Sequence, residues 1–127
     1  MSLWSYGGRL IAVGALIGVS LACGTRAATG DVDKIQIETS QVAVTVKNVS
    51  GGALVDLTIA IIPAGRTTSY TKRLERMESG ETRDLFLAVF SDRDHVAFSL
   101  RVARPSSVSV DAKTVHGDTL RVEVPWK

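Results

Sequence analysis

Two histidines, two loop aspartates and one cysteine are the side chains of this 127-residue chain with the widest chemical repertoire. His95 closes the run Ser91-Asp92-Arg93-Asp94-His95, and His116 opens His116-Gly117-Asp118. Nucleophilic catalysis at a serine needs a base within hydrogen-bond reach and an acid that orients the base. Neither histidine stands beside a serine in a glycine-flanked turn, so His116 reads as a turn residue and not as a general base. An enzyme would require His95 and His116 to converge with a carboxylate in one cleft. Zinc lacks its ligand spacing, because the chain has neither Cys-x-x-Cys nor His-x-x-x-His. Asp92 and Asp94, or Asp31 and Asp33, come nearest to a calcium site, and two carboxylates at i, i+2 fall short of the roughly six to eight oxygens calcium takes. No Gly-rich loop opens a helix to cradle phosphate, and no aromatic platform offers stacking to bases or sugars. These patterns predict no catalytic residue, no metal ligand and no cofactor.

Cys23 is a different case. Arg9 supplies one positive charge, and from Leu10 to Ala22 only Gly and Ser interrupt Leu, Ile, Val and Ala. Such a run has the length of a secretory apolar segment and not the ~20 residues that cross hydrocarbon as a helix. It ends in Val19-Ser20-Leu21-Ala22-Cys23. This resembles the lipobox of bacterial lipoproteins, with Ser20 at the position where that family prefers Leu. The resemblance implies a signal peptide over 1–22, a diacylglyceryl group on the Cys23 thiol, cleavage before Cys23 and acylation, with chains such as palmitate, of the new amino terminus. Gly24 in place of Asp implies the outer membrane over the inner. The residues alone also allow Cys23 as a buried thiol after an ordinary signal peptide or signal anchor. Acylation has a physical argument of its own, since it would consume an otherwise oxidisable lone thiol in an exported chain. Two or more acyl chains hold a protein on a membrane surface, where one holds it only marginally.

The formal charge is +2, and removal of 1–22 takes away Arg9 and no acid, leaving +1. A nearly neutral remainder carries no electrostatic footprint for nucleic acid. About 100 residues remain, enough for one domain whose core must hold without a disulfide. Gly24 to Asp33 is small, polar and aperiodic, which predicts a tether over 23–33 ahead of a domain over 34–127.

Within that domain the apolar residues recur at the period of half-buried strands. Lys34–Thr39 alternates around Ile35 and Ile37; Gln41–Asn48 sets Val42, Val44 and Val46 on one face. Leu54–Ile62 sets Val55, Leu57, Ile59 and Ile61 on one face after the Asn48–Gly52 turn. Thr67–Leu74 is polar and basic, as an edge strand guarded by charge would be. Thr82–Phe90 turns apolar on both faces from Leu85, which predicts a central strand or a passage from one sheet to the other. Val96–Val102 alternates up to a stop at Arg104-Pro105, and Val108–Val115 with Thr119–Val124 flanks a Gly-containing hairpin turn. Trp126 is expected to seal the edge. Seven to eight short strands with regular turns predict an all-β, immunoglobulin-like sandwich.

The order Asn48-Val-Ser-Gly-Gly-Ala-Leu54, strand, proline turn, polar strand and Leu74-Glu-Arg-Met-Glu-Ser-Gly-Glu81 is similar to bacterial immunoglobulin-like domains of the CARDB and FxLYD kind. The Phe-x-Leu-Tyr-Asp motif is absent, so the resemblance implies the fold class and no functional residue. The expected function is a non-enzymatic, lipid-anchored protein of the bacterial cell envelope that presents its sandwich to an envelope protein partner. The alternative is a ligand- or glycan-binding module using the loops around Pro63–Arg66 and Asp92–His95, which would need an exposed aromatic such as Tyr70 or Trp126.

Overall fold

The computed structural model describes residues 28–65 and 68–127. The apolar run, Cys23 and Arg66-Thr67 therefore lie outside the described residues. The remainder forms two antiparallel sheets packed on a shared core. One sheet carries β2 (Ile35–Thr39), β3 (Ala43–Asn48) and β6 (Thr82–Phe86) in the order β2-β3-β6. The other carries β1 (Thr29–Gly30), β8 (Thr119–Pro125), β7 (Pro105–Thr114), β4 (Leu54–Pro63) and β5 (Tyr70–Met77) in the order β1-β8-β7-β4-β5. Counted from β2, one sheet is first-second-fifth and the other seventh-sixth-third-fourth. The first, second and fifth strands thus face the third, sixth and seventh as in an immunoglobulin-like sandwich, with the fourth strand paired to the third.

Alternation explains the core. Val44 and Val46 of β3, Ile59 and Ile61 of β4, and Val108 and Val110 of β7 have no exposed surface. Tyr70 turns inward and meets Phe98 edge-on, ring centroids 5.1 Å apart at 74°, an arrangement aromatic rings favour. One buried polar residue ties the sheets together at a corner. Asn48, fully buried, donates from Nδ2 to the carbonyls of Gly52, Met77 and Glu78 at 2.8, 3.1 and 3.1 Å. Its Oδ1 accepts from the Ser50 amide and hydroxyl at 3.0 and 2.7 Å.

Six sequence expectations change. Val96–Val102 forms no strand. Ser91 bridges Ala97, the Phe98 amide donates to Phe90, and Ser99 then closes a turn by accepting from the amides of Val102 and Ala103. Such local bonds compete with a ladder, and only Phe98 of Val96–Val102 is buried. Thr82–Phe90 is not central: β6 is an edge strand that ends at Phe86, followed by a 3-10 turn over Leu87–Val89. The expected passage between sheets does occur there, because Ser91 pairs with Thr71 of β5. On β4 the buried set is Leu54, Leu57, Ile59 and Ile61, and Val55 is only half-buried. A bulge at Asp56-Leu57 shifts the register against β7, with Asp56 in the left-handed region at φ 50°. Val42 lies beyond the end of β3 and is 67% exposed. Finally, Thr29 and Gly30 pair with Glu123 and Val122, so the sheet takes up the chain five residues before Lys34, inside the expected tether. Pro105 begins β7 where it was expected only to end the preceding strand, a position proline tolerates because it need not donate.

Candidate functional site

The sandwich has two ends of different character. The far end gathers the β3–β4, β5–β6 and β7–β8 turns. The other, the entry end, gathers the 39–43 turn, the 64–69 connection, the long 87–104 segment and the carboxyl terminus. β1 runs antiparallel to β8, which descends toward that end, so Thr29 lies on the entry-end side of Gly30.

The histidines are not brought together. His95 sits exposed in the entry-end loop at φ 64°, and His116 is exposed in the β7–β8 turn at the far end. Asp92 is occupied by its own loop: its Oδ1 accepts from the Asp94 and Val96 amides, both at 2.9 Å. Among the described residues no three His, Cys, Asp or Glu side chains gather as metal ligands. At the far end Thr114 does similar structural duty, its hydroxyl accepting from the amides of His116 and Asp118.

Of the two loops of the ligand-binding alternative, Asp92–His95 borders a cleft, and the residues across it follow Pro63–Arg66 in the chain. Thr68, Ser69 and Thr71 face Asp92 and Arg93 across a shallow cleft of about 250 Å³. The aromatic that a sugar would need is missing there, because Tyr70 is 6% exposed and Trp126 packs partly buried against the core. On the outer face of the larger sheet, Ser107 Oγ donates to Glu123 at 2.9 Å beside the Arg121–Asp111 ion pair at 2.8 Å. This serine has a carboxylate neighbour and no imidazole, so the arrangement braces β7 against β8.

The expected edge strand is present, displaced three residues along the chain. β5 spans Tyr70–Met77 and is the last strand of its sheet. Ser91 covers it at Thr71, with amide–carbonyl bonds of 2.8 and 3.1 Å. Beyond that bridge, β5 borders no further strand among the described residues. Lys72 stands opposite Ile59, whose side chain is core, so a lysine occupies the inward face of the edge. Inward-facing charge is a recognised guard against indiscriminate pairing. Charge pairs at the far end of β5 are solvent-exposed: Arg76 with Glu78, and Glu81 with Arg83. The Glu78 amide, and then the Arg83 guanidinium, hold the Glu81 carboxyl below its usual range. Glu78 raises the Arg76 guanidinium in the same way.

Two features escaped sequence reading. Asn48 was legible only as a turn former, although its spacing of two to Ser50 and four to Gly52 carries an Asx-type turn. The apolar entry end was hidden because its residues alternate like a strand. No helix among the described residues is long and apolar enough to cross a membrane. Comparison of the chain with protein-family models, curated proteins and solved structures finds no match.

Proposed function

We propose that this chain is a lipid-anchored protein of the bacterial cell envelope, exported by residues 1–22 and acylated at Cys23, which presents its sandwich to a protein partner without catalysing a reaction. The observation that carries the reading is the order Arg9, an uncharged run to Ala22, Cys23, and then a sheet that begins six residues later at Thr29. Acyl chains on Cys23 would hold the domain at a membrane surface without a span. Gly24 after the cysteine favours the outer membrane. The rim of β5 from Arg73 to Met77 is the surface suited to a partner strand.

Mass spectrometry of the mature amino terminus, with metabolic palmitate labelling, tests the anchor. The expected first residue is a Cys23 carrying acyl groups, and Cys23→Ser should abolish both labelling and cleavage. A wild-type chain whose mature first residue is not Cys23, or whose Cys23 carries no acyl group, would refute it. For the partner, affinity capture from solubilised membranes should lose its specific protein when Arg73→Pro interrupts the β5 rim. Capture unchanged in a folded Arg73→Pro chain would exclude strand pairing there.

A further inference from the structure

Isolated apolar side chains on a protein surface are ordinary; their collection at one pole is not. Of the eight large apolar side chains exposed among the described residues, six lie at the entry end: Val42, Phe86, Val89, Val96, Leu100 and Val102. Phe86 is 63% and Val102 66% exposed. The other two, Val32 and Val115, sit apart at the far end. Arg93, Arg101, Arg104 and Lys127 are exposed among the six, against Asp92 and Asp94, and Arg101 stands between Leu100 and Val102. Apolar side chains interleaved with long cations suit a lipid–water boundary, where the apolar part enters and the cation reaches back to headgroups.

The chain's own path says what lies opposite this pole. From Cys23 to Ala28 there are five peptide steps, at most ~18 Å when fully extended. The described chain starts at Ala28 and pairs at Thr29 with Glu123, two residues from the end of β8. β4, ten residues long, spans roughly 33 Å. A cysteine held at the headgroups would therefore keep the entry end within one short segment of the lipid and leave the far end clear of it. We infer that the entry end is a membrane-docking face, with the headgroup region of the bilayer as its occupant and the 87–104 segment with Phe86 as its contact surface. This rests on the proposed anchor at Cys23, and it adds an orientation: β5 would stand upright on the membrane, its rim facing sideways and its far-end turns outermost.

The full chain, purified from membranes and reconstituted in phosphatidylethanolamine–phosphatidylglycerol vesicles, tests it. Phe86→Cys, Val102→Cys and, as the far-end reference, Ser79→Cys each receive a thiol-reactive fluorophore; all three positions are exposed, so the fold should tolerate them. Replacing part of the lipid with acyl-brominated phospholipid should quench the probes at 86 and 102 several-fold and leave that at 79 unchanged. Aqueous iodide should show the reverse order. Probes at 86 and 102 that behave like the one at 79 would overturn docking, and so would probes shielded from iodide yet untouched by bromine, which would mean that protein covers the face. The mass of the Cys23 peptide from the same sample separates the two readings. Acylated Cys23 with water-exposed probes refutes docking and spares the anchor; unmodified Cys23 with lipid-quenched probes refutes the anchor and spares docking; unmodified Cys23 with water-exposed probes refutes both.

Discussion

Asn48 concentrates much of the connectivity of the far end in one side chain. Its amide group reaches carbonyls in the β3–β4 turn and at the end of β5, while its backbone bonds Glu81 and Gly80 across the β5–β6 turn. Asn48→Ala would strand those carbonyls without their donor and leave a cavity under them. A loss of about 2–4 kcal/mol is expected, since an unsatisfied buried polar group costs about 1–3 kcal/mol and more than one is left. Thermal denaturation followed by circular dichroism reads it; a change under about 0.5 kcal/mol would mean the corner is held by other contacts. This residue was visible in sequence only as one of several turn formers. Nothing in Asn48-Val49-Ser50-Gly51-Gly52 says that a strand thirty residues on will lend its carbonyls. Cys23 is the opposite case, since its reading comes from its immediate neighbours and needs no fold.

At the scale of elements, strands were legible where apolar residues alternate against polar ones, as in Ile35–Thr39 and Ala43–Asn48. The reading slipped where both members of a pair are apolar. Leu54 and Val55 can each begin the buried series, and the bulge at Asp56 decides between them by adding a residue against Ala112. A left-handed backbone there suits Asp, Asn or Gly and excludes a β-branched side chain. Asp56→Val should therefore cost about 1–2 kcal/mol in urea denaturation, with Asp56→Asn and Asp56→Gly close to the parent. Equal stability of all three would show that the bulge is not a requirement of β4. The edge strand was legible because its charges are dense, and Lys72 shows why they matter. Lys72→Val would complete an apolar stripe with Ile59 along an uncovered rim. Self-association in sedimentation velocity should rise while the melting temperature holds or increases; a monomer at the same concentration would free Lys72 of that guarding role.

The whole molecule is set by where the chain joins it. The Val96–Val102 alternation, which sequence alone reads as a strand, supplies three of the six apolar side chains at the entry end, because the turn at Ser99 buries Phe98 and leaves Val96, Leu100 and Val102 in solvent. β1 governs how far that end can move from Cys23. Gly30 sits at φ 90°, and a Cβ added to it would lie 2.0 Å from the Arg121 carbonyl oxygen. Gly30→Ala cannot keep the pairing of Thr29 and Gly30 with β8, and the bonds that follow it, from the Asp31 amide to Arg121 and from the Arg121 amide to Asp31, should open with it. Because β1 contributes only two residues, the core should lose no more than about 1 kcal/mol. The link between Cys23 and the first paired strand would meanwhile grow from five or six steps to about twelve at Ile35, and its reach from ~20 to ~40 Å. In the anchored chain, segment 28–34 should become sensitive to proteolysis, and the probe at 102 should lose most of its quenching by brominated lipid while its melting temperature stays near that of the parent. Were the probe to remain in lipid after β1 is released, the docking face would be holding the domain down on its own, and tether length would not set its height.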